Sequence, residues 1–374
     1  MALLTMPFLT VAPNRLVSGE PVSLFAVLHG PGWLMALPAV LLALIAATRP
    51  RRWQLWAVAG LSISLLTGLL WLAGAQAAQI AVTASPLART ALGGGFWAVV
   101  LLIGLIASEA VQGMWLTRGR TAMWLLAALL PLVGLLAGGW CDELSIMKEY
   151  ANRADAFWEA ITRHLQIVVL ALVPAFGLGM ALGWLARRHQ KVGALLFPVL
   201  NVLQTLPSIA LFGLLLAPLA WLASALPDLA RVGISGVGLA PGVIALTLYS
   251  LLPVVRASFA GLQQVPVSVR DAARGLGMSP SQLFFNVDVP LAAPVVLAGL
   301  RTAAVQAVGL AAVTALIGAG GLGAIMFEGL FASAQDLVLL GVIPMVVLGV
   351  LTDAAFGVLI GLFSLTGMDQ SAEL

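Results

Sequence analysis

The chain has 374 residues, of which 61% are hydrophobic and only 9% charged, with a mean hydropathy of +1.07. Soluble domains are about a quarter charged, so the chain has too little polar surface to clothe a water-soluble globule and is read as an integral membrane protein. A net charge of +3, held in short clusters, argues against nucleic-acid binding; one cysteine (Cys141) and three scattered histidines (His29, His164, His189) argue against an internal disulfide and against a Cys- or His-rich metal site.

In chain order, Met1 to Ala12 is apolar but too short to span a bilayer, and it lacks the basic start and cleavage motif of a signal peptide. It is read as an interfacial segment or the stub of a helix, without cleavage. Apolar runs follow at 31–48, 54–74, 95–112, 121–139, 165–186, 193–226, 237–255, 292–318 and 337–363. Crossing the hydrocarbon takes roughly 20 residues. The runs are continuous rather than alternating, so they imply helices and not a barrel.

The run 193–226 is long enough for two spans, and charge decides between one and two. Arg187, Arg188 and Lys191 precede it, while Arg256, Arg270 and Arg274 follow the next run. Both clusters belong on the cytoplasmic side, which requires an even number of crossings between them. One long segment, kinked or broken by Pro198, Pro207 and Pro218, satisfies this. Arg49, Arg51, Arg52, Arg118 and Arg120 then fall on the same side.

The expectation is an all-α integral membrane protein of about nine transmembrane helices, with an external N-terminus and a cytoplasmic C-terminus. A four-helix extension (1–140) is joined by an acidic external loop (141–164) to a five-helix domain (165–365). No repeat relates the halves, which weighs against an inverted-repeat transporter.

The polar punctuation is concentrated in the second half. Between Val265 and Pro294 the chain reads "VPVSVRDAARGLGMSPSQLFFNVDVPLAAP". Ser268 is placed to N-cap a short helix with Asp271 in the capping-box position, and Ala272, Ala273 and Gly277 give it a small-residue face. A second short helix from about Ser279 presents Leu283, Phe284 and Phe285. Such a pair of helices suits docking in a groove of another protein; an amphipathic loop lying on the bilayer is the alternative.

This segment resembles the cytoplasmic signature of bacterial ABC importer permeases of the methionine and osmoprotectant type: E-A-A, three residues, G, nine residues, then I-x-L-P. Here Asp271-Ala272-Ala273, Gly277 and Val287-Asp288-Val289-Pro290 match every spacing, with Asp for Glu and Val for Ile and Leu. The stretches Asn201–Leu215, Leu248–Arg256, Gly299–Gly309, Leu316–Leu330 and Leu339–Gly357 are similar to successive blocks of glycine betaine, carnitine and choline permeases. Ala12–Glu20 and Leu144–Arg153 resemble a longer branch of osmoprotectant permeases with an N-terminal extension.

The resemblance implies a five-helix permease core in the bacterial inner membrane. Its partners would be an ABC ATPase subunit, a second permease subunit (the same or a homologous chain) and an external solute-binding protein. It assigns ATPase coupling to Asp271, Ala272, Ala273, Gly277 and Pro290. It implies a quaternary-ammonium osmolyte as cargo, with no cofactor bound by this chain and no enzymatic activity of its own. The two lysines, Lys148 and Lys191, are not preceded by glycine, so there is no P-loop.

A competing class, an ion-coupled secondary transporter of a small polar solute, needs ionisable groups near the midplane. Glu109, Arg301 and Asp353 are the candidates. Arg301 and Asp353 each lie roughly 15 Å from the cytoplasmic ends of their spans, which favours an ion pair clamping the last two helices. Inside another span, Gln204, Thr205, Pro207 and Ser208 combine polar groups with a proline break. They read either as a translocation-pathway lining or as interhelical hydrogen-bonding groups.

Gly318, Gly320 and Gly323 satisfy G-x-G-x-x-G, with Asp336 downstream, which would suit a dinucleotide. A long apolar segment precedes them, however, and leaves no room for a βαβ unit. The expectation is a turn or partly re-entrant element at an external gate, built from Gly318, Gly320, Gly321 and Gly323.

Overall fold

The computed structural model describes residues 6–14, 19–28, 30–46, 48, 51–83, 88–114, 118–228 and 234–368. It divides into two compact units, Met1–Ala154 and Asp155–Leu374. The expected masses of helix are present in both.

In the first unit, strand β1 (Leu9–Ala12) pairs antiparallel with β2 (Glu20–Val22) on one side and β3 (Arg89–Leu92) on the other. Leu9, fully buried, lies opposite Val22 and Leu92. Around this sheet stand α1 (Leu24–Val27), α2 (Ala36–Ala46), α3 (Arg52–Thr83), α4 (Gly94–Gly113), α5 (Arg118–Ala137) and α6 (Ser145–Asn152). Phe8 and Leu9 share one core with Leu69, Leu72, Ala73 and Phe96. Phe8 meets Phe96 edge-on, with ring centroids 5.6 Å apart. The described part of the N-terminal segment is therefore a central strand, a feature the sequence reading lacked. Strands of three or four residues are too short to show alternation.

The acidic stretch 141–164 is largely helical, not an open connector: a short turn leads into α6, and the first turns of the helix that begins at Ala154 follow. Part of its charge is consumed internally. Buried Glu149 receives Arg89 at 3.4 Å and Arg153 at 3.9 Å, and Lys148 pairs with Glu143 at 2.8 Å.

The second unit consists of α7 (Ala154–Arg188), α8 (Gln190–Thr205), α9 (Ser208–Ala225), α10 (Leu239–Gln264), α11 (Val267–Gly275), α12 (Pro280–Leu283), α13 (Val289–Ala311), α14 (Leu322–Phe331) and α15 (Gln335–Met368). Eight helices among the described residues are long and apolar enough to cross a membrane: α3, α4, α5, α7, α9, α10, the continuous helix Pro280–Ala311, and α15. The first expected span is shorter. Its apolar stretch is Gly32–Ile45, entered through a 3-10 turn at Gly30–Met35.

Helix α10 is the hub of the second unit, because its partners can reach its backbone. A Cβ at Gly299 of α13 would run into the Pro253 carbonyl, and one at Gly261 of α10 would meet Ala292. Gly179 and Gly183 of α7 press likewise on Val254 and Ser258. Small residues permit this approach, and dispersion and packing then hold the helices without a hydrophobic drive between them.

The run 193–226 is broken into α8 and α9 at Leu206–Pro207. Proline has no N–H to continue the hydrogen-bond ladder and pushes the residue before it into extended backbone; Leu206 has ψ 135°. Tyr249, buried on α10, repairs the gap. Its hydroxyl donates to the Leu206 carbonyl at 2.6 Å, and Gln204 Nε2 donates to the Tyr249 carbonyl at 2.9 Å. Tyr249→Phe is expected to leave the Leu206 carbonyl unsatisfied and to lower stability by about 1–3 kcal/mol. Thermal unfolding in detergent measures this; an unchanged midpoint would show that the break does not depend on the hydroxyl.

Candidate functional site

Helix α11 starts two residues earlier than its capping box would need. Pro266, with φ −59°, precedes the first turn and provides no side-chain cap, so Ser268 lies inside the helix. Asp271 does not cap either; it accepts from Arg274 Nη1 at 3.1 Å, with both side chains exposed. The small residues divide between faces: Ala273 is buried, whereas Ala272 and Gly277 are exposed.

The helix ends in a left-handed glycine turn. Gly277 has φ 82°, the Met278 N–H donates to the Ala273 carbonyl at 3.2 Å, and the Gly277 N–H donates to the Arg274 carbonyl at 2.9 Å. This is the glycine C-cap that satisfies the last orphan carbonyls. Nothing lies within 4 Å of a Cβ built on Gly277, so the position opens outward.

Ser279 then opens the next element with a capping box. Its Oγ accepts from the Gln282 N–H at 3.3 Å, and Gln282 Oε1 accepts from the Ser279 N–H at 2.9 Å, with Pro280 at the first helical position. The expected second short helix does not stop. It passes through a π turn, Phe284–Asp288, directly into α13. The wider turn lies immediately ahead of Pro290, whose ring would press on the carbonyl four residues back in a regular α-helix. Pro290 thus lies in the first turn of α13, just beyond the wide turn.

A buried ion pair holds this segment to the bundle. Arg270 Nε donates to Asp288 Oδ1 at 2.6 Å, and Arg270 Nη2 donates to the Leu262 carbonyl at 2.7 Å. The two side chains are 11% and 10% exposed. One guanidinium therefore joins α11, the end of α10 and the root of α13. Sequence reasoning missed this role, because Arg270 was counted as a topology charge and Asp288 fell on the unspecified position of the motif. Outward from the clamp, Val267, Leu276 and Phe285 are 67%, 80% and 65% exposed. Beside it opens a cavity of about 1070 Å³ lined by Met180, Trp184, Arg187, Phe284 and Phe285 among others.

Within the spans, Arg301 and Asp353 meet fork to fork: Nε to Oδ1 and Nη2 to Oδ2, both 2.6 Å. Arg256, placed by the sequence reading in the loop, lies inside α10 and donates to Asn201 Oδ1 at 2.6 Å. Gln204 is bonded to α10 as described. The Thr205 hydroxyl turns back to the Val202 carbonyl at 2.8 Å, Pro207 is exposed at the break, and Ser208 begins α9. Glu109 is exposed on α4, in the first unit.

At the other end of α13 the backbone passes through a 3-10 turn (Val313–Ile317) into the glycines. Gly318, Gly320 and Gly321 have φ 81°, 83° and 81°, conformations a side chain rarely adopts. Gly323 abuts the Ala312 carbonyl with no room for a Cβ. The element that leads into this turn is helix α13 and its 3-10 extension rather than a strand, so it is not a dinucleotide fold. It is locked from two sides. Arg163 Nε donates to the Ala319 carbonyl at 2.9 Å, and the Gly238 N–H donates to the Ile317 carbonyl at 2.7 Å.

Next to Arg163, fully buried His164 places Nε2 3.0 Å from the Val308 carbonyl. A carbonyl only accepts, so Nε2 carries the proton, and in the neutral ring Nδ1 is an acceptor; Nδ1 has no partner among the described residues and lies against Gly321. The sequence reading had left Arg163 and His164 in the connector.

Residues 1–147 match the family model described as "ABC transporter permease YehY, N-terminal domain", and residues 175–361 match "Binding-protein-dependent transport system inner membrane component". The chain is 37% identical over 191 residues to the osmoprotectant import permease protein OsmW of Salmonella typhimurium, covering 51% of this chain and 84% of that one. It is 36% identical to the carnitine transport permease protein OpuCB of Listeria monocytogenes (52% and 82% covered) and 33% identical to the choline transport system permease protein OpuBB of Bacillus subtilis (58% and 91%). A solved inward-facing structure of the MetNI methionine ABC transporter aligns at 20% identity and TM-score 0.47, covering 56% of this chain and 96% of that one.

Two ion pairs generate predictions. Arg270→Met strands the Asp288 carboxylate in a buried site and should cost roughly 3–5 kcal/mol, read as loss of folded protein in detergent; full retention would mean that the pair is dispensable. Arg301→Ala and Asp353→Ala should each lower the yield of assembled protein, while the Arg301→Asp/Asp353→Arg swap partly recovers it. Normal assembly and transport by both single variants would show that the pair carries no structural weight.

Proposed function

The chain belongs to the family of binding-protein-dependent transport system inner membrane components, and we propose that it forms, with a second permease subunit, the pore of an ATP-driven importer of quaternary-amine osmoprotectants. It is a permease, a multi-pass inner membrane protein and a transport subunit. The names of its relatives, which move osmoprotectants, carnitine and choline, support the cargo class.

The observation that carries the reading is the build of α11. A short helix that exposes Val267, Asp271 and Ala272 is fixed by a buried guanidinium to the roots of two membrane helices. Force applied to α11 is therefore delivered to α10 and α13. A separate ATPase subunit is assigned to this surface, contacting Asp271, Ala272 and Gly277, with Ala273 packed beneath the helix and Pro290 at the start of α13. The Arg and Lys clusters support a cytoplasmic location for α11 and the C-terminus. The locked glycine turn then faces the external side, where a solute-binding protein delivers cargo and Gly318, Gly320, Gly321 and Gly323 form part of the gate.

The ion-coupled alternative is the weaker reading. Its two best carriers, Arg301 and Asp353, neutralise each other through two short hydrogen bonds, and neither is left as a proton relay.

Co-purification with the ATPase subunit tests the assignment. Gly277→Asn tolerates left-handed backbone and should retain the ATPase. Gly277→Trp should release it, because the bulk projects into the docking face. Uptake by vesicles that lack both ATP and the ATPase would overturn the importer reading.

A further inference from the structure

The Arg301 and Asp353 side chains are 35% and 46% exposed, although each lies roughly 15 Å inside its span. A helix advances 100° per residue, so the outward face of α13 can be traced through exposed Leu291, Ala298, Thr302 and Gly309. Arg301 and Gln306 flank that line. The Gln306 side chain is exposed and makes no hydrogen bond among the described residues. Other outward faces of the same unit are different. Helix α9 presents Ile209, Leu214 and Trp221, and α7 presents Val169, Val173 and Phe176. Those are lipid-facing compositions. A half-exposed ion pair and an unpartnered amide at membrane depth are not, because hydrocarbon offers neither solvation nor hydrogen bonds.

We infer that the outward face of α13 lines an aqueous solute path, and that Arg301, Asp353 and Gln306 form a polar subsite there for a zwitterionic solute, one carrying a carboxylate and a fixed cation. This rests on the importer reading above and names the chemistry within it. The fork-to-fork pair uses Nε and Nη2 of Arg301 and one lone pair on each Asp353 oxygen. Nη1 is left to donate to a solute carboxylate, and the outer lone pairs of Asp353 are left to face a quaternary ammonium. Gln306 adds a donor and an acceptor about 7–8 Å along the helix. A zwitterion satisfies both signs at once without opening the pair. A simple cation gains from Asp353 but meets Arg301 as a like charge.

The test begins in a Cys141→Ser background, in the complete transporter reconstituted in vesicles. Thr302→Cys, Gln306→Cys and Leu214→Cys are treated with a charged, membrane-impermeant thiol reagent. The first two should react at least about tenfold faster than Leu214→Cys, and glycine betaine should slow them during ATP turnover. Equal, slow rates at all three positions would place α13 against lipid or a sealed interface and overturn the proposal. The comparison of the three labelling rates needs no transport, so it stands apart from any failure of the importer reading. Recognition is then read from Arg301→Lys, which keeps the charge but loses the fork. The ratio of maximal uptake rates, glycine betaine over choline, should fall about fivefold. An equal loss for both solutes would make the pair structural and refute the zwitterion subsite.

Discussion

In hydrocarbon no water stands by to satisfy a carbonyl or an amide, so every interruption of a helix must be repaired from within the protein. The second unit follows this constraint at three of its breaks. Where Pro207 ends α8, the Tyr249 hydroxyl takes the Leu206 carbonyl. Where α13 gives way to the glycine turn, Gly238, Arg163 and His164 take the carbonyls of Ile317, Ala319 and Val308. Where α11 returns to the bundle, Arg270 takes the Leu262 carbonyl. The repairs come from α7, α10 and α11, so the irregular points of one helix become the tie points of another. Function gathers at those points because only there is the backbone free to turn.

The same ties make the unit mechanically continuous. Arg270 binds the end of α10 and the start of α13 together, and the two helices then run side by side on glycine contacts at Gly261 and Gly299. A displacement of α11 cannot be absorbed locally, since its C-cap is closed by the Ala273 and Arg274 carbonyls and the next element is already capped at Ser279. The π turn at Phe284–Asp288 is the one wide step between α11 and the membrane. It also presents Phe284 to Trp184 of α7, with ring centroids 6.4 Å apart, so α7 feels the same movement.

The legible parts of the sequence were those with long-range redundancy. Apolar runs give spans, and the punctuation from Pro266 to Pro290 gives a short helix closed by a glycine turn. Equal depth from the same membrane surface brought Arg301 and Asp353 into consideration together, and they lie 2.6 Å apart. What could not be read were contacts between residues distant in sequence and individually ordinary. β1 and β3 are each four residues long and are brought together only by the helices between them. Arg270 and Asp288 carry no periodic signal, and His164 looks like the end of an acidic connector until α7 is seen to begin at Ala154. Ser268 does not cap the helix for a local reason: Pro266, two residues earlier, fixes φ, and the helix starts at once.

Stability alone does not account for charge on the outward face of α13. Two apolar side chains of similar volume would join α13 to α15 without desolvating anything, and such replacements are often neutral or stabilising in buried sites. Arg301 and Asp353 are not buried; about a third and nearly half of each side chain looks outward. If that outlook were lipid, the pair would forgo both the packing of an apolar contact and the hydration of a surface one. Facing water, the same groups cost little, keep their short hydrogen bonds, and offer a bipolar edge to whatever passes. The placement of Thr302 and the unpartnered amide of Gln306 on the same half of the helix follows the same logic, since an amide is inexpensive only where something polar can reach it.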